Sequence, residues 1–139
     1  MRELPLEAEV TVATPWGEKT ERAKYCLWDT GATDVSMNKA FADAMGIMAI
    51  PPMDDELQPL MTIDANYVGF VSARLRIGDV ATPYLTVKVT DYDPKGKFAE
   101  MGYQLPDLII GMSLIGLGRF EVDSTGDQTV VRFELPKLL

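Results

Sequence analysis

The chain has no histidine and only one cysteine, Cys26, among its 139 residues. Without histidine, a Ser-His or Cys-His catalytic pair is impossible, and a histidine-rich metal site is excluded. A single cysteine cannot form an internal disulfide, which fits a reducing compartment. Because Cys26 lies inside an apolar segment, we expect it to be an inert core residue rather than a nucleophile.

Clustered positive charge and long apolar runs are also missing. The 13 basic residues are outnumbered by 21 acidic ones, giving a net charge of -8. This balance argues against a nucleic acid or an anionic membrane as a partner, since both require a positive patch. No apolar run approaches the roughly 18 residues needed to span a bilayer, and the N-terminal residues lack the apolar centre of a signal peptide. A cytoplasmic location is expected.

The length predicts one domain, residues 1–139, with a real core. Alternation of polar and apolar residues predicts strands over most of it. In the first strand, Leu6, Ala8, Val10 and Val12 should share the buried face. The predicted strands cover residues 6–14, 19–28, 60–77, 81–91, 108–110, 119–123 and 128–135.

One convincing helix interrupts the strands, at residues 36–46, with Ser36 as its cap and Gly46 at its end. Its apolar face should hold Met37, Ala40, Phe41, Ala44 and Met45. Residues 50–59 and 92–107 are predicted to be loops, and loops as long as the second often carry function. The fold class is therefore mainly β, with a closed or nearly closed barrel-like sheet.

The segment YCLWDTGATD, residues 25–34, places a carboxylate directly after an apolar strand. Partial desolvation at such a position suits Asp29 to act as an acid or a base. Gly31 allows a tight turn and a close approach to the carboxylate. Asp29 could instead only cap its own turn, a common role for Asp before Gly. Its apolar flank and a second apolar strand that ends in glycine, LIIG, favour a functional site.

These two segments, LWDTGAT at residues 27–33 and DLIIGMSLI at residues 107–115, resemble those of the retropepsin family of aspartic proteases. The resemblance covers residues 6–135 and implies an acid-protease barrel with a short helix after each segment. Bacterial and phage-type members often carry Asp where this chain has Ser113. That departure leaves the catalytic motif intact but alters a packing or capping contact.

The resemblance implies a role for each residue of the site. Asp29 would be catalytic, Thr30 would bond to the partner's loop, and Gly31 would bring a backbone amide to the carboxylates. Ala32 and Thr33 would complete the active-site loop. Further along the chain, Ile110 with Ala32 would line the substrate pockets, and Ile109 and Gly111 would support the site from below. No cofactor and no metal are implied.

A retropepsin site needs two aspartates, and this chain has one Asp-Thr-Gly. The other candidate, Asp123 in VDSTGD, lies in a predicted hairpin turn, and we interpret it as structural. The resemblance therefore implies an aspartic endopeptidase that acts as a homodimer on a peptide or protein substrate. The terminal strands, residues 6–12 and 129–135, are predicted to form the interface because edge strands have unpaired backbone groups. Trp28 should pack beneath the site or line the dimer seam.

A retropepsin also closes over its substrate with a flap hairpin, and residues 61–70 are the candidate. The turn would lie at Asp64, Ala65 and Asn66, since Asn tolerates a left-handed backbone. Ile63, Tyr67 and Val68 would then contact the substrate. An ordinary hairpin with no lid role is the alternative.

Two other functions are possible for this sequence. A catalytically silent module could keep the fold for dimerisation or peptide binding, although the intact Asp-Thr-Gly-Ala favours catalysis. A phosphotransfer enzyme with Asp29 as its nucleophile would need a second Asp at position 31, where glycine stands, and a larger α/β domain.

Overall fold

A computed structural model describes residues 3–51 and 66–136 of the chain. Within these ranges it has ten strands and three short helices. The strands are β1 Ala8–Thr14, β2 Gly17–Ala23, β3 Cys26–Trp28, β4 Ser36–Asn38, β5 Tyr67–Ile77, β6 Val80–Ala81, β7 Leu85–Thr90, β8 Leu108–Ile110, β9 Arg119–Asp123 and β10 Val130–Glu134. The helices are α1 Lys39–Ala44, α2 Lys97–Glu100 and α3 Met112–Ile115.

Eight of these strands form one curled sheet in the order β2-β1-β5-β7-β4-β8-β3, with β6 paired to β5. Most neighbours are antiparallel, but β3 pairs with β8 and β4 with β7 in parallel. Strands β9 and β10 form a separate hairpin. The predicted mainly-β, barrel-like fold class is confirmed, together with a short helix after each of the two motif segments.

The segment predicted as one strand over residues 19–28 is two strands, β2 and β3, that pair with different neighbours. Asp107 causes the break. Its carboxylate accepts a hydrogen bond from the N–H of Lys24 at 2.8 Å, and its own N–H donates to the Tyr25 carbonyl at 2.9 Å. These bonds draw the chain away from β1 and set β3 beside β8, so a long-range contact overrides local alternation.

The predicted helix over residues 36–46 begins three residues late. Residues 36–38 form β4, which lies between β7 and β8, because pairing on both sides outweighs one helical turn. The cap is therefore Asn38, whose side chain accepts from the N–H of Ala40, and not Ser36. Ala40 and Ala44 are exposed, whereas Ala42 is buried, so the predicted apolar face was partly wrong.

The N-terminal strand differs from expectation in two ways. Leu6 is 66% exposed, and Leu4 is buried in its place. Strand β1 is also an inner strand, paired with β2 on one side and β5 on the other. Residues 8–12 therefore do not form a free edge, so the reason given for placing them in a dimer interface was wrong, and the interface itself stays a prediction. The C-terminal strand β10 is paired as well, by β9 and by the N–H of Leu4, which donates to Val131 at 2.8 Å.

The long polar loop at residues 92–107 contains a helix that the sequence pattern did not predict. Asp93 starts α2 by accepting hydrogen bonds from the N–H groups of Phe98 and Ala99, at 3.2 and 3.0 Å. This cap satisfies amides that a first helical turn leaves unpaired. Within the described ranges, no helix has the length and apolar character needed to cross a membrane.

The core joins the buried side chains of the sheet to Ala42 of α1, Leu114 and Ile115 of α3, and Phe133 of the β9–β10 hairpin. Trp28 packs here, with its ring centroid 5.8 Å from that of Phe120 and 5.2 Å from that of Phe133. It thus lies beneath the loop that follows β3. Cys26 is buried, and burial raises the pKa of its thiol to about 12. The thiol is therefore protonated at neutral pH, as the inert role predicted for it requires.

Replacing Phe133 by Ala should destabilise the protein by about 3–5 kcal/mol, since the ring is buried and supports Trp28. Val122→Ala on the paired strand removes a side chain that is 51% exposed and should change stability by less than about 0.5 kcal/mol. Urea unfolding of both variants measures the difference. Equal losses would contradict this account of the core.

Candidate active site

Asp29 lies where two parallel strands end together. Strands β3 and β8 run side by side with Trp28 opposite Ile110. The N–H of Asp29 then donates to the carbonyl of Ile110 at 2.9 Å. Because this bond extends the ladder by one residue, the aspartate is held at the carboxyl edge of the strand pair and not in a free loop.

The chain turns immediately after Asp29. Its carboxylate Oδ1 accepts a hydrogen bond from the N–H of Gly31 at 2.8 Å, and its carbonyl accepts from the N–H of Ala32 at 3.1 Å. The side chain therefore does cap its own turn. Yet Asp29 remains partly exposed, and its Oδ2 has no hydrogen-bond partner in the described part of the chain. One oxygen is fixed and the other is available for chemistry.

The loop is fastened to α3 by three hydrogen bonds. The N–H groups of Met112 and Ser113 donate to the carbonyls of Ala32 and Thr33, both at 2.8 Å. In return, the hydroxyl of Ser113 accepts the N–H of Val35 at 3.2 Å. Ser113, the residue that departs from the family pattern, thus supplies a capping contact to the active-site loop.

Gly111 lets this loop lie directly on the end of β8. A Cβ atom at position 111 would be 2.7 Å from the carbonyl oxygen of Ala32 and closer still to that of Asp34. Both contacts are with backbone, which cannot swing aside as a side chain can. The glycine is required here because of a close approach, since its φ angle lies outside the left-handed region.

The remaining loop residues predicted for the site lie together at this edge. Thr30, Gly31 and Thr33 are exposed, and Ala32 is partly exposed. The bond of Thr30 to a partner loop stays a prediction. On β8, Ile110 is fully buried, whereas Ile109 is partly exposed. The β8 side chain that is available to a ligand is therefore that of Ile109.

The residues predicted for the flap are only partly described. Ile63, Asp64 and Ala65 lie outside the described residues. Asn66 is at an exposed turn, and Tyr67 and Val68 open β5. Val68, 38% exposed, lines a cleft of about 400 Å³ together with Ile47, Met48, Val89 and neighbours on α1. Contact of these residues with a substrate stays a prediction.

A charged pair that sequence reasoning did not assign lies beside the loop. The ammonium of Lys88 on β7 is 3.4 Å from the carboxylate of Asp34 and 5.5 Å from the ring centroid of Tyr67. Desolvation, and then the charge of Asp34, raise the pKa of the Tyr67 hydroxyl. The alternation of polar and apolar residues in TVKVT indicates that Lys88 faces outward, but it could not show that Asp34 lies opposite.

The Asp123 carboxylate forms its hydrogen bonds within its own hairpin. Its Oδ1 accepts from the N–H and the hydroxyl of Thr125, at 3.0 and 2.6 Å. Arg132 lies 3.7 Å from its other oxygen. The hydroxyl bond, followed by the backbone bond and Arg132, lowers the pKa of Asp123. The structural interpretation of this residue is confirmed.

Comparison with known proteins gives structural similarity only. No family model and no curated protein sequence matches the chain. The structure is similar to the retroviral protease-like domain of Ddi1 from Leishmania major, with 18% identity, a TM-score of 0.43 and 97% of each chain covered. It is also similar to a retropepsin-like aspartic protease from Rickettsia conorii, with 14% identity, a TM-score of 0.43 and coverage of 94% of this chain and 95% of that one. Both are retropepsin-like domains, the family that the sequence motifs resemble.

Gly111→Ala should destabilise the protein by about 1–3 kcal/mol, because the new methyl group displaces backbone of the active-site loop. Gly126→Ala is the matched control, since a Cβ there meets no atom within 4 Å. Thermal unfolding compares the two variants. A Gly111 variant as stable as the control would show that the loop does not rest on β8 as described.

Proposed function

We propose that the protein is an aspartic endopeptidase that acts as a homodimer, with Asp29 from each subunit forming the catalytic pair. The observation that carries this proposal is the placement of Asp29. It follows a strand pair, one carboxylate oxygen is fixed by the N–H of Gly31, and the other has no partner among the described residues. Asp123 is held within its own hairpin, so the second carboxylate would come from another copy.

In the dimer, the two Asp29 carboxyl groups would face each other across a two-fold axis. Like charges at such a distance do not both ionise, so the pair holds one proton over a wide acidic range. The ionised carboxylate accepts a proton from a water molecule as the oxygen of that water attacks the peptide carbonyl carbon. The protonated carboxyl group donates to the carbonyl oxygen, and protonation of the nitrogen then allows the C–N bond to break.

The loop geometry supports this role because it limits the motion of each carboxylate. The Gly31 N–H fixes Oδ1, and the bonds from Met112 and Ser113 fix the backbone that carries it. A catalytic group that is already oriented needs no reorganisation during the reaction. Ile109 and Ala32, both partly exposed, offer apolar surface to side chains beside the cut bond.

Exposed apolar side chains near the site are consistent with a partner subunit. Met112, which opens α3, is 43% exposed, and Leu117, just after α3, is 56% exposed. Burial of such side chains stabilises association at roughly 25 cal/mol per Å² of apolar area. In an isologous dimer, the copies of each side chain from both subunits would be buried in the interface.

Asp29→Asn should abolish hydrolysis of a peptide library between pH ~4 and 7, with a loss of at least about 100-fold, because an amide cannot accept the proton of water. Asp123→Asn should retain activity, since that carboxylate only caps a turn. Cleaved bonds are identified by mass spectrometry. Equal cleavage by wild type and Asp29→Asn would refute catalysis by Asp29, and no cleavage by either would leave a catalytically silent module.

Dimerisation should strengthen with salt, because each subunit carries a net charge of -8 and two copies repel each other. Sedimentation velocity at low and moderate ionic strength measures the monomer–dimer constant. Specific activity should rise with the dimer fraction as the protein is concentrated. A chain that stays monomeric while hydrolysing peptides at full rate would contradict the shared site.

A further inference from the structure

One row of side chains crosses five strands of the sheet and starts at Leu27, two residues before Asp29. The register places Leu27 of β3 beside Ile109 of β8, Ile109 beside Ser36 of β4, and Ser36 beside Lys88 of β7. Phe70 of β5 lies opposite Lys88 and completes the row. Partners in a ladder project their side chains to the same face of a sheet.

This row, which we call the floor, faces away from the core. Each of its five members is at least partly exposed. The two rows that flank it are largely buried, as alternation along a strand requires. One flanking row contains Cys26, Leu108, Met37, Val89 and Gly69, and the other contains Trp28, Ile110, Val35, Val87 and Val71.

The floor changes character along its length. Beneath Asp29 it is apolar, with Leu27 and Ile109. At β4 it becomes polar, where the hydroxyl of Ser36 is 2.6 Å from that of Tyr92. At β7 it carries Lys88, whose ammonium faces the Asp34 carboxylate and the Tyr67 ring. A peptide that lies across the floor from the cut bond would therefore pass from apolar to charged surface.

The spacing between neighbouring strands sets the distance from Lys88 on β7 to β3, the strand that Asp29 follows. Neighbouring strands lie about 4.8 Å apart, so the three steps from β3 to β7 span about 14 Å. An extended peptide advances about 3.4 Å per residue, so a substrate side chain about three to five residues from the cut bond would meet the pair.

The pair is electrically neutral but strongly polar. Lys88 offers donors and its side chain is 28% exposed, whereas Asp34 offers acceptors and is 48% exposed. A single charged side chain would be attracted by one member and repelled by the other. A carboxamide suits both, since its oxygen accepts from Lys88 while its NH₂ donates to Asp34.

We propose that Lys88 and Asp34 determine specificity for a carboxamide side chain, Asn or Gln, about three to five residues from the cut bond on the arm of the substrate that crosses β4 and β7. This inference rests on the proposed function. It also identifies the substrate class more closely: a peptide that is apolar at the cut bond and carries an amide side chain beyond it.

The probe is a set of decapeptides with an apolar centre, in which one position, about three to five residues from the central bond, is Gln, Glu, Lys or Leu. The wild type should cleave the Gln peptide with a kcat/KM about tenfold above that of the Leu peptide at one of these positions. Lys88→Met should shift the preference to Lys, because Asp34 is left unpaired. Asp34→Asn should shift it to Glu.

Arg22→Met is the matched control. Arg22 forms an ion pair with Glu7, also at 3.4 Å, beside the opposite edge of the sheet. The Arg22→Met variant should rank the four peptides in the same order as the wild type. Lys88→Gln, a polar replacement, provides a second variant if Lys88→Met does not fold. An unchanged ranking in both Lys88 and Asp34 variants would overturn the proposal.

Binding to the Asp29→Asn protein separates this proposal from the protease itself. Fluorescence anisotropy of the same labelled peptides requires no hydrolysis. If the wild type cleaves none of them but Asp29→Asn binds the Gln peptide most tightly, and added Lys88→Met or Asp34→Asn shifts that preference to Lys or Glu, the protease fails and the floor's selectivity stands. Cleavage with a ranking that is indifferent to Lys88 and Asp34 overturns only the selectivity. Neither cleavage nor binding overturns both.

Discussion

The parallel pairing of β3 with β8 is the constraint on which the rest of the site depends. It places Asp29 at a shared strand end and brings Gly111 beneath the loop that follows. Only a residue without a side chain at 111 lets the carbonyls of Ala32 and Asp34 lie so close to β8. With the loop in this position, the N–H groups of α3 bond to its carbonyls, and the N–H of Gly31 orients the Asp29 carboxylate. Strand β4 then pairs with the other side of β8.

The same pairing produces the floor beside the site. Because β8 lies between β3 and β4, the row that starts at Leu27 continues without a break to Lys88, whose ammonium pairs with Asp34. In the proposed protease, apolar surface near the carboxylate would keep the reacting bond dry, and the neutral polar pair farther along would discriminate among substrate side chains. The proposed chemistry and the proposed selectivity thus depend on neighbouring positions in one ladder, and a change in its register would disturb both.

Sequence reasoning predicted the features that are encoded locally. The mainly-β class, the strand LIIG, the C-terminal hairpin and the turn at Asp29 each follow from alternation or turn chemistry within a few residues. Sequence reasoning failed where contacts between residues distant in the chain determine the local structure. Asp107 breaks the segment 19–28 in two, and pairing on both sides turns Ser36 from a helix cap into a strand residue. Lys88 was missed for the same reason, since its partner Asp34 is distant in the chain.

The central claim is that one active site needs Asp29 from two subunits. Wild-type and Asp29→Asn proteins are mixed in varying proportions at constant total concentration and left until subunits have exchanged, and peptide hydrolysis is then measured. Activity should fall with the square of the wild-type fraction, to roughly one quarter in an equal mixture, because mixed dimers are inactive. A linear fall, to roughly one half, would show that each chain works alone and would contradict the account.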